Sequence, residues 1–296
     1  MTKGKLIAIV GTTASGKSSL GIDLAKHYNG EIVSADSRQV YRHLDLGTGK
    51  VTKEEMAEVK HHLIDILDLN QPFSVAHFQK LAYEAIDDIL KRGHLPFLVG
   101  GTGLYTRALV EGYNLSDVPP DAEQRKILES LDREQLCSRL EKLGEKVSDD
   151  EPARRLIRRL EKLEKGVKSE NLSQPRYDVL QLGLTFDREE LYSRIGIRLD
   201  QRIKEGMIDE VREVVKLGAT PEFLEGLGLE YRLTYRYITG KYKSFEEYRE
   251  DLFKQIRHFA KRQMTWFRKE KNIVWLNSKG DYLKEAITLI DDFLKK

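Results

Sequence analysis

The chain has 296 residues, of which 40% are hydrophobic and 33% are charged, and its net charge is +2. This length can form one large domain or two smaller ones, and the small net charge gives no bulk indication of a polyanionic partner. The single cysteine, Cys137, excludes an intramolecular disulfide and a cysteine metal cluster. No apolar run approaches the ~20 residues that cross a bilayer. The first strand follows the N-terminus directly, so we expect a cytoplasmic protein without a signal peptide or membrane partner.

The first third of the chain alternates strand and helix patterns. The strand candidates are Leu6–Val10, Glu31–Ala35, His62–Ile66 and Pro96–Gly100, and the helix candidates are Ser18–His27, Lys53–Lys60 and Val75–Lys91. This alternation predicts an α/β fold, a parallel sheet with helices on both faces. Ligands of such sheets bind beyond the carboxyl ends of the strands. Polar or glycine-rich segments follow three strands, at Gly11, Asp36 and Gly100, and we expect these segments to converge on one cleft.

The pattern changes after Val118-Pro119-Pro120, where charged helical segments begin, and a buried strand returns at Tyr177–Leu184. We therefore predict a discontinuous core domain of residues 1–118 and 176–296 and a helical insertion domain of residues 119–175. The helix candidates are Arg125–Leu131, Glu134–Leu143, Pro152–Lys165, Arg188–Lys216, Tyr231–Thr239, Phe245–Lys269 and Tyr282–Leu294, and the last strand candidate is Asn272–Leu276.

The segment between the first strand and the first helix fits the phosphate-loop (P-loop) pattern. Its residues are Gly11, Thr12, Thr13, Ala14, Ser15, Gly16, Lys17 and Ser18. A preceding strand and a following helix are the context that supports this pattern. Backbone N–H groups and a helix N-terminus form an anion site there, Lys17 adds a positive charge, and the Ser18 hydroxyl could reach Mg²⁺. The loop predicts that the protein binds a polyphosphate, and it leaves open whether phosphate is transferred, hydrolysed or released.

Two further segments offer chemistry at the predicted cleft. Asp36 could orient a metal-bound water, act as a general base, or cap a helix with Gln39 at the third helical position, and the spacing leaves these interpretations open. The three glycines of Gly100–Gly103 allow a ligand to approach the backbone closely. Thr102, among them, either contacts substrate or belongs only to a tight turn.

Two helical segments are strongly basic. Arg154–Arg159 contains four arginines, and Lys254–Lys269 carries cations at three- and four-residue steps opposite an apolar stripe. With Gln263 and Trp266 near its end, the second segment is typical of a helix that contacts phosphodiesters, although a solvated basic face is the commoner outcome. The adjacent pair His61-His62 would point to opposite faces of a strand, which does not favour a metal site.

Five of these segments occur together, and in the same order, in a known family. They are Gly11–Ser18, Ser34–Arg42, His61–Asp65, Gly100–Tyr105 and Lys261–Arg268. From residue 6 to about residue 270 the chain resembles the bacterial tRNA dimethylallyltransferases, which have a P-loop NTPase-like fold with an all-helical insertion. The resemblance implies transfer of a dimethylallyl group from dimethylallyl diphosphate to N6 of adenosine 37, next to the anticodon. The implied substrates are tRNAs that read codons starting with U, and diphosphate is released.

The resemblance also implies roles for individual residues. The P-loop would bind the donor's diphosphate, with Lys17 and a Mg²⁺ held through Ser18 sharing its charge. Asp36 would be the general base on N6, and Thr102 would contact the target adenosine, which must leave the anticodon stack. The implied contacts with the tRNA anticodon stem-loop are Asp36, Ser37, Arg38, Gln39, Thr102, Gln124, Arg125, Arg154, Arg155, Arg158, Lys261, Arg262, Gln263, Trp266 and Arg268. Separately from the resemblance, we expect a monomer.

Two departures from the family pattern and two rival functions accompany this hypothesis. The family often has proline where this chain has Thr12, and tyrosine where this chain has Leu229. The phosphate contacts do not depend on the side chain at position 12. The change at Leu229 concerns a contact that the tyrosine would make, and not the transfer chemistry. A small-molecule or nucleotide kinase would share the P-loop and use Asp36 on a hydroxyl, but we find no lid with paired arginines. The second rival is a non-catalytic P-loop protein with an RNA-binding or regulatory role.

Overall fold

The computed structural model describes residues 3–115, 121–167 and 173–296. The chain forms two compact units, Met1–Gly112 with Pro175–Lys296 and, separately, Tyr113–Gln174. The predicted boundary at Val118-Pro119-Pro120 lies outside the described residues. Within the described ranges, no helix combines the length and the apolar character that a membrane span needs.

The first unit is built on a six-stranded sheet. The strands are β1 Lys5–Gly11, β2 Glu31–Ser34, β3 His61–His62, β4 Pro96–Gly100, β5 Asp178–Leu184 and β6 Ile273–Trp275. Their order is β3-β2-β4-β1-β5-β6, and every neighbouring pair is parallel. The predicted α/β class is therefore confirmed, and the carboxyl ends of all six strands lie along one edge.

Ten helices surround the described part of this sheet. They are α1 Lys17–His27, α2 Lys53–Glu58, α3 Val75–Lys91, α4 Gly103–Val110, α8 Arg188–Lys204, α9 Met207–Lys216, α10 Pro221–Leu227, α11 Leu229–Ile238, α12 Phe245–Phe267 and α13 Tyr282–Lys295. The second unit contains α5 Ala122–Glu129, α6 Arg133–Lys142 and α7 Ala153–Leu163.

Helices cover both faces of the sheet, and β1, which is buried from Leu6 onward, packs against them on both sides. Ile7 and Ile9 pack with α1 and α13 on one face. Leu6 and Ala8, which point the other way, pack with α3 and α4. A separate apolar cluster joins α8, α9, α11 and α12, and this helical layer brings the side chains of α8, α11 and α12 to the edge where the strands end.

Two predicted elements are shorter or more divided than their patterns indicated. The strand predicted over His62–Ile66 is wrong beyond His62, because Leu63 and Asp65 adopt φ angles of 64° and 54° that end the extended chain. The helix predicted over Arg188–Lys216 is two helices. Gly206, at φ 104°, breaks it in a left-handed conformation that favours glycine.

The second unit has its own small apolar core. Leucines of α5, α6 and α7 pack together there: Leu128, Leu136, Leu140, Leu156 and Leu160. The helical character predicted for this region is therefore observed. Glu161 is fully buried at the edge of this core, and it accepts hydrogen bonds from Arg125 and Arg158. Burying this carboxylate is tolerable because both arginines pair with it.

Candidate active site

The P-loop leads from β1 into α1 through two left-handed residues. Ala14 has φ 60° and Gly16 has φ 83°, and α1 then begins at Lys17. The Lys17 ammonium folds back and donates to the Thr12 carbonyl oxygen at 3.2 Å. The free N–H groups at the start of α1 and the lysine therefore surround the space where an anion would bind. The Thr12 side chain is fully buried.

A cavity of about 530 Å³ lies at the carboxyl ends of β1, β2 and β4. Lys17, Asp36 and Thr102 all line it, so the predicted convergence of three strand ends on one cleft is confirmed. The other predicted site residues in its wall are Thr13, Ser18, Ser37, Arg38, Gln39, Arg262, Gln263 and Trp266. Ala14 and Gly16 line a second hollow, to which Lys17 and Ser18 also contribute. Lys261 is exposed on α12, and Arg268 is exposed directly after the end of this helix.

Asp36 is held in a turn and does not cap a helix. Its Oδ1 atom accepts a hydrogen bond from the Arg38 N–H at 2.8 Å, and the next helix along the chain, α2, begins only at Lys53. The interpretation of Asp36 as an N-cap is therefore wrong, because the side chain closes a local turn onto its own backbone. Among the described residues, no hydrogen bond to Oδ2 is found, so this oxygen can accept a proton from a ligand.

Hydrogen bonds to neighbouring segments fix the side chains that follow Asp36. The Arg38 guanidinium donates to the Gly226 carbonyl at 3.0 Å, and burial lowers the pKa of Arg38. The Gln39 amide donates to the Gly49 carbonyl at 3.2 Å and accepts from the Ser34 hydroxyl at 3.2 Å. These contacts hold the segment in one conformation at the cavity wall.

Two arginines at the cavity were not among the residues that we singled out from the sequence. Arg198 and Arg202 come from α8 and line the cavity beside Lys17. Arg194, one turn earlier, donates a hydrogen bond to the Ala14 carbonyl at 3.0 Å and so helps to hold the P-loop in place. The four-residue spacing of the three arginines places them on one helix face, and this spacing is the sequence signal that could have revealed them.

The cationic side chains of the cleft repel one another. Burial, followed by repulsion from Arg198, lowers the pKa of Lys17 to about 8, and Asp36 only partly opposes this shift. Burial and the neighbouring Arg202 lower the pKa of Arg198 to about 10. An anion bound between these groups would relieve the repulsion. The cleft therefore has the electrostatics of a site for a multiply charged anion.

Glu230 is the second carboxylate of the cavity and was also missed. It lies on α11, and one of its oxygens is 3.7 Å from Arg202 Nη1. Burial raises the pKa of Glu230, and the Arg202 charge limits this rise.

The last two turns of α12 form the other wall. Gln263 is 8% exposed, accepts from the Thr13 N–H at 2.8 Å and donates to the Gly101 carbonyl at 2.9 Å. It thereby ties the P-loop to the end of β4. Trp266 packs so closely on Gly103 that a Cβ there would lie 2.3 Å from the indole ring. Tight packing against a glycine fixes the indole at the mouth of the cavity.

The predicted tRNA contacts of the insertion belong to the second unit. Arg154 and Arg155 are exposed on α7. Arg125 and Arg158 pair with the buried Glu161 within the unit. Gln124 forms a hydrogen bond with Glu164. The RNA contacts expected of these five residues stay predictions.

Comparisons with known proteins agree with one another. A family model described as IPP transferase matches residues 39–270. A tRNA dimethylallyltransferase of Halalkalibacterium halodurans is 40% identical, over 99% of this chain and 97% of its own. A tRNA dimethylallyltransferase 2 of Treponema denticola is 44% identical, over 93% and 95%.

Two solved structures share the fold over nearly the whole chain. The full-length tRNA isopentenylpyrophosphate transferase of Bacillus halodurans has a TM-score of 0.75 at 41% identity and covers 99% of this chain and 96% of its own. A eukaryotic dimethylallyltransferase acting on tRNA has a TM-score of 0.81 at 26% identity and covers 99% and 80%.

Proposed function

The chain belongs to the IPP transferase family and transfers a prenyl group to tRNA, and from this premise we propose its donor and acceptor. The donor is dimethylallyl diphosphate, and the acceptor is N6 of adenosine 37 in tRNAs that read codons starting with U. The observation that carries the proposal is the shared cavity, in which a P-loop lysine and a free carboxylate oxygen face the same space. A monomer contains all of these groups.

The proposed chemistry is a displacement at the first carbon of the donor. The N6 lone pair forms the new C–N bond while the C–O bond to diphosphate breaks, and that electron pair leaves with the diphosphate. Lys17, Arg198 and Arg202 stabilise the negative charge that develops on the leaving group. Asp36 takes the proton that N6 releases, through the oxygen that is not bound to the Arg38 N–H.

We propose Ser18 as the protein ligand of Mg²⁺. Its hydroxyl follows Lys17 at the start of α1 and lines the same cavity. Among the described residues there is no group of three or more histidine, cysteine, aspartate or glutamate side chains that could hold a metal. A single hydroxyl fits Mg²⁺ that is held mainly by substrate phosphates and water. When bound, the ion would add positive charge next to the leaving diphosphate.

Removing charge from the exposed face of α12 should weaken tRNA binding in a salt-dependent way. For a variant with glutamine at Lys261 and Arg262, the slope of log affinity against log salt should become shallower by ~0.7 to 0.9 for each lost phosphate contact. Titrations of labelled tRNA at several salt concentrations measure this slope. Glutamine at the exposed Lys284 and Lys295 of α13 is the matched control and should leave it unchanged. A slope unaltered by the α12 pair would show that this face does not contact the RNA.

The depressed pKa of Lys17 predicts a pH dependence of diphosphate binding. The free protein loses the lysine proton near pH 8, whereas a bound diphosphate would keep the lysine protonated. Affinity for inorganic diphosphate should therefore be highest below pH 8 and should fall by up to ~10-fold per pH unit above it. Calorimetric titrations of the wild type and of Lys17→Met across this pH range separate the effect of lysine protonation on affinity from the effect of the ligand's own ionisation. An equal pH dependence in both proteins would contradict this assignment.

The cellular test of the function is the composition of tRNA. Mass spectrometry of tRNA from cells that lack the protein should show adenosine 37 without its dimethylallyl group, and the wild-type gene should restore the group. The kinase alternative is not favoured, because the relatives at about 40% identity are named tRNA dimethylallyltransferases. Fully prenylated tRNA in the deletion strain would overturn the proposed acceptor.

A further inference from the structure

Glu210 binds a loop that it follows by more than 160 positions in the chain. Its carboxylate accepts hydrogen bonds from three consecutive N–H groups, those of Asp45 at 3.0 Å, Leu46 at 2.7 Å and Gly47 at 3.0 Å. The side chain is half-buried on α9 and does not line the cavity. Three backbone donors on one carboxylate are strong, charge-assisted contacts that fix the position of a segment without regular secondary structure. We call residues 45–50 the cleft loop.

Tyr231 of α11 supplies the fourth hydrogen bond to Glu210. Its hydroxyl donates to the carboxylate at 2.6 Å. Burial, together with the Glu210 charge, raises the pKa of Tyr231 well above its usual range, so the hydroxyl stays protonated as a donor. The ring also packs on Gly47, where a Cβ would lie 2.6 Å from it. Glu210 and Tyr231 together hold the first half of the cleft loop in place, and we call these two residues the clamp.

The second half of the cleft loop contacts both sides of the active site. Gly49 has φ 59°, and a Cβ there would lie 1.6 Å from a guanidinium nitrogen of Arg202 and 2.3 Å from one of Arg198. The Gly49 carbonyl accepts from the Gln39 amide at 3.2 Å. The backbone at Gly49 therefore limits the movement of the two arginines. The Gly49 carbonyl also supports the segment that follows Asp36.

We propose that Glu210 is a positioning residue of the active site. Through the cleft loop, it holds Arg198 and Arg202 where the donor's diphosphate binds. The identification of that anion rests on the proposed function. Without the clamp, the arginines gain room to move and lose the preorganisation on which binding of a leaving group depends.

The clamp can be removed without releasing the whole loop. Lys50, at its end, donates to the Tyr41 carbonyl at 2.9 Å and pairs with Asp45 and Asp65. These contacts do not involve Glu210. A substitution at Glu210 should therefore loosen the loop between two points that stay attached, and the variant should remain folded.

The test compares Glu210→Gln, Glu210→Ala and Tyr231→Phe with the wild-type protein. The control is Asp209→Asn, an exposed neighbour on α9 that pairs with Arg212. Titration with inorganic diphosphate and Mg²⁺ measures the leaving-group site directly. Steady-state kinetics give KM for dimethylallyl diphosphate, KM for tRNA and kcat.

For Glu210→Ala we expect the diphosphate Kd and the donor KM to rise ~10- to 100-fold, with a smaller change in kcat and an unchanged KM for tRNA. Glu210→Gln and Tyr231→Phe should fall between the wild type and Glu210→Ala, and Asp209→Asn should match the wild type. A lower Tm with unchanged diphosphate affinity in the two milder variants would overturn the inference, because it would show a structural role alone. A wild-type protein that binds diphosphate without prenylating tRNA would overturn the proposed function instead.

Discussion

Asp36→Asn should lower kcat/KM for prenyl transfer by ~10²- to 10⁴-fold, the range that general-base catalysis contributes. Asparagine keeps the oxygen that accepts the Arg38 N–H, so the turn after β2 should survive. The amide cannot take the proton from N6, so formation of the C–N bond would leave a charged amine on the purine. Binding of tRNA depends mainly on phosphate contacts elsewhere and should be retained.

Single-turnover prenylation and a separate tRNA titration measure these two quantities on the same variant. Asp68→Asn is the matched control, since Asp68 is an exposed aspartate that pairs with Arg42 outside the cavity. It should be as active as the wild type. Retention of full activity by Asp36→Asn would show that Asp36 is not the base. Loss of tRNA affinity in parallel with activity would assign Asp36 to binding.

Lys17→Met should lower kcat/KM by ~10²- to 10³-fold, the loss typical of removing one preorganised donor to a developing negative charge. Methionine has nearly the length of lysine and carries no charge, so the P-loop should keep its shape. The hydrogen bond to the Thr12 carbonyl would be lost. Because the charge acts on the leaving group, kcat should fall and the donor's KM should rise, while KM for tRNA should stay unchanged.

The control for this variant is Lys26→Met, at the far end of the same helix, where the lysine pairs with the exposed Glu58. Thermal unfolding should show both variants to be folded. A Lys17→Met protein with unchanged kcat and a raised donor KM would mean that the lysine contributes ground-state binding alone. An unchanged kcat and unchanged KM values for both substrates would show that Lys17 takes no part in the reaction.

Local patterns predicted the elements that local physics determines. The helix predicted over Val75–Lys91 and the strand predicted over Pro96–Gly100 have those bounds in the structure. The helix is amphipathic, with Ser74 capping its N-terminus, and the strand is a buried apolar run. The P-loop was recognisable because its glycines, lysine and hydroxyl must follow one another in sequence. Asp36 and Thr102 were predicted because each closely follows the end of a strand of the same sheet.

Features that depend on distant parts of the chain were beyond local patterns. Glu230 lies at the cavity because α11 packs on α9 and α12, and no motif within α11 indicates this. The strand predicted beyond His62 failed because hydrophobicity does not report the left-handed φ angles of Leu63 and Asp65. The structural role of Gln263 was not indicated by its sequence either, because both ends of its amide bond backbone groups of the P-loop and of Gly101. Its RNA contact stays a prediction.

The most direct test of the central claim asks which group moves. The purified protein is incubated with unmodified tRNA, Mg²⁺ and either dimethylallyl diphosphate labelled in its carbon chain or ATP labelled in its γ-phosphate. Nuclease digestion then locates any label in the tRNA. We predict that label from dimethylallyl diphosphate appears on adenosine 37 with release of unlabelled diphosphate, and that none enters from ATP. Label that enters tRNA only from ATP would contradict prenyl transfer and identify a kinase.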